Sequence, residues 1–386
     1  MKTNSILVLV VAIMLGIFAG NLWAGTYSGG NGEPNNPYQI DDANDMNEIG
    51  TNSGDWGSYF VMTDDINLID YNETNFIIIG NSTTKFTGVF DGNNHVINNF
   101  SYESNGKDYV GIFGYVYASN AIIKNVILSE PNIVANGGEY IGTLVGYLRD
   151  GAITNCSVQG GEVAGKWHVG GLAGYTRDGL IEYCDSSTSV FADDLAGGLI
   201  GTHWYGSINY CYSSGNISAE GIAFEASAVG GFVGMGTGHI SNCYASGDVS
   251  GTDRSVGGLV GATSGGVILN CYASGQVSDT SGNDGGLVGD HSSYNSTSFT
   301  KCFWDNSVNP LLDGFGDGTV DPNVTGKSSE EMKKESTFTN WDFVEVWNIG
   351  ENQTYPYLRQ YPAGDLNNDG IVNWRDFAIL ANNWLQ

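Results

Sequence analysis

The sequence predicts an all-β fold: a right-handed parallel β-helix (β-solenoid) followed by a short C-terminal EF-hand-like loop and helix. Three observations carry this. A glycine-rich motif returns near a 28-residue period, a cysteine recurs at a fixed offset from it, and the chain's end switches to an Asp/Asn-rich loop with helical spacing after it. A repeat at that period reads as stacked supersecondary units, none able to bury its own apolar face alone.

Composition agrees. Of 386 residues, 57 are Gly and only 7 are Pro, with no Gly-X-Y period, so collagen is excluded. Aromatics reach 12% and apolar residues 41%, too many for a disordered chain. The formal charge is −28, with only 14 Lys and Arg. Such a surface repels phosphate backbones and anionic lipid, so nucleic acid is excluded as a partner.

At the N-terminus, Lys2 precedes an apolar run from Ile6 to Ala19, and Ala24-Gly25 offers a cleavage point. Residues 1–24 read as a secretory signal peptide, with no membrane span after cleavage and a secreted or cell-surface location. Residues 25–105 read as an N-terminal cap with the first rungs of the solenoid.

The repeat occupies residues 106–307. Its copies are VGIFG, IGTLVG, VGGLAG, AGGLIG, VGGFVG, VGGLVG and DGGLVG, ending at Gly114, Gly146, Gly174, Gly201, Gly234, Gly261 and Gly289. A second motif, such as AITNCS or HISNCY, places Cys at 156, 184, 211, 243, 271 and 302, with Val126 in the first copy. An apolar residue stands three before each: Ile123, Ile153, Ile181, Ile208, Ile240, Ile268 and Phe299. A third piece ("GEV", "GNI", "GDV") follows. Three short β-prone pieces per repeat make one rung. Rungs stack about 4.8 Å apart, so each position sits on its own copy. The paired glycines mark a bend where the wall turns inward. Which of the motif's Leu and Val points inside is not readable from the pattern.

An even cysteine count in a secreted chain normally means disulfides. Here all six share one register, and parallel Cβ vectors keep neighbouring β-carbons too far apart for easy bridging. A ladder of buried free thiols is expected, with bridges as the alternative.

The pattern VGGLVG…I-x-N-C-Y…G-x-V resembles the GLUG motif of bacterial surface and secreted proteins. The flanks resemble such proteins too: "NPYQIDDANDMNEIG", "FTGVFDGNNHVINNFSY" (Phe86–Tyr102), which looks like a first rung, and "GKSSEEMKKESTFTNWDFVEVWNIGENQTYPYLR". The resemblance implies a repetitive β-solenoid of the kind discussed with adhesins, and no catalytic set. Residues 308–362 are expected to cap the solenoid.

For chemistry the pattern offers little. The five histidines are isolated, and HExxH and GxSxG are absent. "YLRDGAI" and "YTRDGLI" place Arg149 over Arg177 and Asp150 over Asp178. Carboxylates one rung apart would stand near the ~5 Å spacing of retaining glycosidases. The alternative is a repeated, solvated Arg-Asp-Gly turn with local ion pairs. Tyr115, Tyr147 and Tyr175 share one offset, and Tyr212, Tyr244 and Tyr272 another. Either ladder is a candidate sugar platform, or simply a stack of rings.

The tail, residues 363–386, reads as a calcium loop and helix. Asp365, Asn367, Asp369, Ile371 (by its carbonyl), Asn373 and Asp376 fall at loop positions 1, 3, 5, 7, 9 and 12, with Gly370 at the turn. Phe377, Leu380, Trp384 and Leu385 then recur on one helical face as docking candidates. This resembles one half of a type I dockerin. The resemblance implies Ca²⁺ and a cohesin-like or cell-surface protein partner, although a complete dockerin has two such units. The reading favours a non-catalytic solenoid for adhesion or carbohydrate contact. The alternative is a polysaccharide hydrolase or lyase on a β-helix.

Overall fold

The computed structural model describes residues 25–220, 227–252, 255–279, 284–291 and 296–359. The expected signal peptide and calcium loop-helix lie outside the described residues. What remains is a parallel β-solenoid. One rung runs through Val145–Arg149, Ala152–Thr154, Ser157–Gln159, Glu162–Gly165 and Trp167–Gly170, then re-enters the next rung at Ala173. These strands open five parallel sheets, called first to fifth in that order, with seven, ten, ten, seven and six strands. Each strand pairs with its copies one rung away, as in Val145↔Ala173 and Ile153↔Ile181.

Five strands per rung replace the three pieces expected from the sequence, and two bends account for the difference. The first splits the cysteine motif. The residue before the Cys place is left-handed in every copy: Asn125, Asn155, Tyr183, Tyr210, Asn242, Asn270 and Lys301, with φ between 51° and 55°. Asn tolerates this region best among side-chain-bearing residues, hence its frequency there. The second bend splits the glycine motif, and its glycines are required by space rather than by positive φ. A Cβ on Gly230 would lie 2.0 Å from the Val233 carbonyl oxygen of its own bend. One on Gly231 would lie 2.1 Å from the Gly258 carbonyl in the next rung, and one on Gly234 2.5 Å from the Gly201 carbonyl in the previous rung.

Both apolar residues of the motif point inward. Leu144, Leu172, Leu199, Phe232, Leu259 and Leu287 are buried, and so are Val145, Ala173, Ile200, Val233, Val260 and Val288. The Ile ladder is buried in the same core. All six cysteines are free and buried. Each thiol lies against the carbonyl two residues before it, as in Cys211 Sγ to Asn209 O at 3.1 Å and Cys243 Sγ to Ser241 O at 3.1 Å. A small apolar side chain with a weak donor suits that place.

A helix at Ala43–Thr51 packs Met46 and Ile49 into the N-terminal end, and Asp42 caps it by accepting from the Asn44 and Asp45 amides. At the other end, Val324–Lys327 adds the last strand of the third sheet. Met332, Phe338, Trp341 and Trp347 then form a second small core on Tyr272 and Phe303. Among the described residues, no helix is long and apolar enough to cross a membrane.

Candidate functional site

The Arg-Asp turns fall on the corner between the first and second sheets. Arg149 and Arg177 are in register, as the repeat requires. Asp150 and Asp178 follow in left-handed backbone, φ 59° and 54°. Each arginine reaches its own neighbour: Arg149 Nε lies 3.8 Å from Asp150, and Arg177 Nε 3.4 Å from Asp178. The guanidinium of Arg149 also sits over the Tyr117 ring at 4.8 Å. Both carboxylates line an open hollow with Tyr117, Ala118 and Ser119. They are well exposed, at 36% and 44% of their side-chain surface. This is the arrangement of solvated ion pairs, which contribute little individually.

Tyr115, Tyr147 and Tyr175 line the outer face of the first sheet. A second row, Tyr109, Tyr140 and His168, stands beside them at the glycine bend, all three left-handed. Its residues precede the glycine motif by one place, outside the pattern that the repeat displays. Tyr109 and Tyr140 stack at 5.0 Å, and Tyr140 and His168 at 4.9 Å with planes 5° apart. The two rows also touch, as in Tyr140 to Tyr147 at 5.5 Å. Rings stacked this way cover one another's faces and turn their edges outward. His168 is largely enclosed, and burial lowers its pKa to about 4. Its Nδ1 lies 2.8 Å from Thr202 Oγ1. His203, enclosed in the first sheet beside Thr176, is likewise lowered to about 4 by burial.

The second ladder is regular. Tyr212 and Tyr244 stack at 4.9 Å, Tyr244 and Tyr272 at 5.0 Å, with planes 3° and 4° apart. Its upper part is occupied by the chain itself. Tyr355 stacks on Tyr272, Trp347 leans on Tyr244 and Tyr272, and the Tyr272 hydroxyl donates to the Pro356 carbonyl at 2.6 Å. Below Tyr212, Asp185 accepts from Ser157 Oγ at 2.8 Å. Burial raises its pKa to about 6, against the lowering effect of Ser157 and Tyr212 beside it.

A third aromatic group, not expected from the sequence, faces solvent on the second sheet. Tyr183 and Tyr210 stack at 4.9 Å, at the left-handed place that most other rungs give to Asn. Tyr205, also left-handed at φ 57°, takes the place one rung above Asp178. The signal was present in "IEYC" and "INYC", where Tyr replaces Asn.

Known proteins place these features. The GLUG motif matches at residues 194–218, 225–250 and 252–278. Halomucin of Haloquadratum walsbyi is 33% identical over 147 residues, which is 36% of this chain and 2% of that protein. A protein of Evansella cellulosilytica, provisionally named a Gly-rich membrane protein, is 29% identical over 144 residues, or 36% of this chain and 16% of that one. The chain thus spans a small fraction of the length of either relative. Among solved structures, a Bacteroides ovatus protein provisionally named an immunoglobulin A1 protease shares 26% identity. Its TM-score is 0.58, over 86% of this chain and 95% of that chain. A structure named IgA1 protease is 21% identical with TM-score 0.51, covering 68% of this chain and 21% of that chain, and shows likeness of fold alone. The chain is therefore a β-solenoid that carries GLUG motif repeats, and one of its relatives is named as a membrane protein.

Proposed function

We propose that this chain is a secreted or cell-surface, non-catalytic β-solenoid for adhesion or carbohydrate contact, attached through a Ca²⁺-binding C-terminal loop. The observation that supports it most is the outward placement of aromatic side chains in register on the rungs, half-exposed at Tyr183 and Tyr205. Aromatic rings held by a rigid wall favour contact with partly apolar partners. The candidate acids, by contrast, are tied to their own arginines. The apolar leader and a relative named as a membrane protein support the location.

The structural neighbours named as proteases do not lead to a protease reading through the cysteines. All six thiols are enclosed, and burial pushes Cys302 up to about 12. A buried, protonated thiol is a poor nucleophile. A second reading, polysaccharide cleavage, draws on one observation: Asp150 and Asp178 line the same hollow.

Incubating the full chain with polysaccharides, while measuring both retention and new reducing ends, separates the two. Contact predicts retention with no new ends. Turnover that disappears in Asp150→Asn or Asp178→Asn would establish the enzyme instead. For the tail, Asp365, Asn367, Asp369, the Ile371 carbonyl, Asn373 and Asp376 are the oxygen donors proposed for Ca²⁺, a set suited to that ion. Phe377, Leu380, Trp384 and Leu385 are proposed to face a cohesin-like or cell-surface partner. Calorimetric Ca²⁺ titration of the full chain should lose one binding event in Asp365→Ala. Equal uptake by the variant rules the loop out.

A further inference from the structure

We infer that the outer face of the second sheet, between Tyr205 at one end and the Tyr183–Tyr210 pair at the other, is a binding strip for a neutral glycan. The inference rests on the contact reading and gives it a site and a ligand class.

Backbone conformation is the first observation. Bulky residues rarely adopt left-handed φ, and doing so costs about 1–2 kcal/mol each. Tyr183, Tyr205 and Tyr210 do so at φ 53°, 57° and 54°. Equivalent places elsewhere hold Asn125, Asn155, Asn242, Asn270 and Lys301, or Asp150 and Asp178, and all of these except Lys301 are residue types that tolerate the conformation better. A comparison within the molecule shows what is unusual. Tyr109, Tyr140 and His168 are also left-handed, but they pack into a second aromatic row. Tyr183 and Tyr205 stay 51% and 53% exposed, so burial returns little of their cost. Strained residues that burial does not explain are where function is sought.

The second observation is the chemistry between the tyrosines. The Leu180–Glu182 and Ser207–Asn209 strands pair in register, and their central Ile181 and Ile208 point into the core. Leu180, Glu182 and Asn209 therefore face outward. Glu182 Oε1 accepts from Asn209 Nδ2 at 3.1 Å, and Asn209 Oδ1 accepts from Ser241 Oγ at 2.7 Å. Aromatic rings thus stand at both ends of a run of fixed carboxylate and amide groups roughly 16 Å long, the length of five extended residues.

Charge then selects the ligand. The strip carries the Glu182 carboxylate on a chain of net charge −28, so an acidic polysaccharide is repelled. A purely apolar partner would cover Glu182 and Asn209 without pairing them, which is unfavourable. A neutral glycan meets both demands, with C–H groups against Tyr205 and the outward edges of the Tyr183–Tyr210 pair and hydroxyls on the polar groups.

The test uses the full chain, titrated calorimetrically with neutral oligosaccharides of glucose, xylose and mannose, and with polygalacturonate as the acidic probe. Tyr183→Asn with Tyr210→Asn, and separately Tyr205→Asn, install residues suited to the backbone. The expected result is binding of at least one neutral oligosaccharide, weakened roughly tenfold or more in the variants. Thermal stability should stay unchanged or rise, a readout that a merely structural role would move the other way. The site is overturned if no neutral oligosaccharide binds, if polygalacturonate binds more tightly, or if the variants melt lower. Equal binding by wild type and variants also removes this site while leaving the contact reading intact. New reducing ends would remove the contact reading itself.

Discussion

The ladder of Tyr212, Tyr244 and Tyr272 and the pair Tyr183–Tyr210 are built by the same device, a tyrosine stacked on its copy one rung away, yet they meet opposite fates. The first stands on the third sheet and is sealed at its upper end by Trp347 and Tyr355. The second stands on the second sheet and faces water. The register of a solenoid produces rows of identical side chains automatically, because every position stacks on itself. What a row does depends on what else the chain lays against it. A ladder under the closing segment is part of a core, while a ladder in solvent is a surface offered to something else.

The largest break in this comparison is Trp347→Ala. Trp347 is fully buried on Tyr244 and Tyr272, so its removal should cost the closing segment about 3–5 kcal/mol. Solenoid stability is largely a sum over neighbours. Hydrogen exchange should therefore rise across residues 308–359 while the repeat rungs stay protected.

Acid distinguishes the two flanks next. His168 and His203 have folded pKa values near 4, below the ordinary value of about 6.5. On acidification the unfolded chain takes up protons that the folded chain refuses. Stability is lost as pH falls from about 6.5 to 4, by up to about 3 kcal/mol for each. Asp185 has the opposite sign. Its folded pKa of about 6 exceeds the unfolded value, so its contribution is present at low pH and is lost as pH rises from about 4 to 6. Denaturation curves across this range should show net loss toward acid. Asp185→Asn should steepen that loss, and His203→Gln should flatten it.

Gly230→Ala probes the wall between the flanks. The added methyl would meet the Val233 carbonyl at 2.0 Å, and overpacking of this kind costs about 1–3 kcal/mol. A shift in denaturation midpoint checks it. The smallest effect belongs to Arg177→Gln. Its pair with Asp178 is exposed, and the loss should stay below about 0.5 kcal/mol at ordinary salt.

Much of this was legible in the sequence. The period aligned the rungs, and the Ile, Cys and Gly registers all appear as rows in the structure. The five-strand rung was not legible. Three apolar pieces are visible in the text, but the bends at Asn155 and between Gly230 and Gly231 follow from backbone conformation and from close approach, neither of which alters hydrophobic patterning. The aligned tyrosines were visible too, but their exposure was not. Whether Tyr272 lies open is decided by residues more than 70 positions later, such as Trp347 and Tyr355. Tyr183 and Tyr210 stand where most rungs carry Asn, so the cysteine register alone does not mark them.

The central claim is that one aromatic row is sealed by the chain and another is left open for contact. Nitration of the native protein with tetranitromethane, read residue by residue by mass spectrometry, tests it most directly. Tyr183 and Tyr205 should react early, and Tyr244 and Tyr272 only after unfolding. Native Tyr272 reacting as fast as Tyr205 would contradict the account.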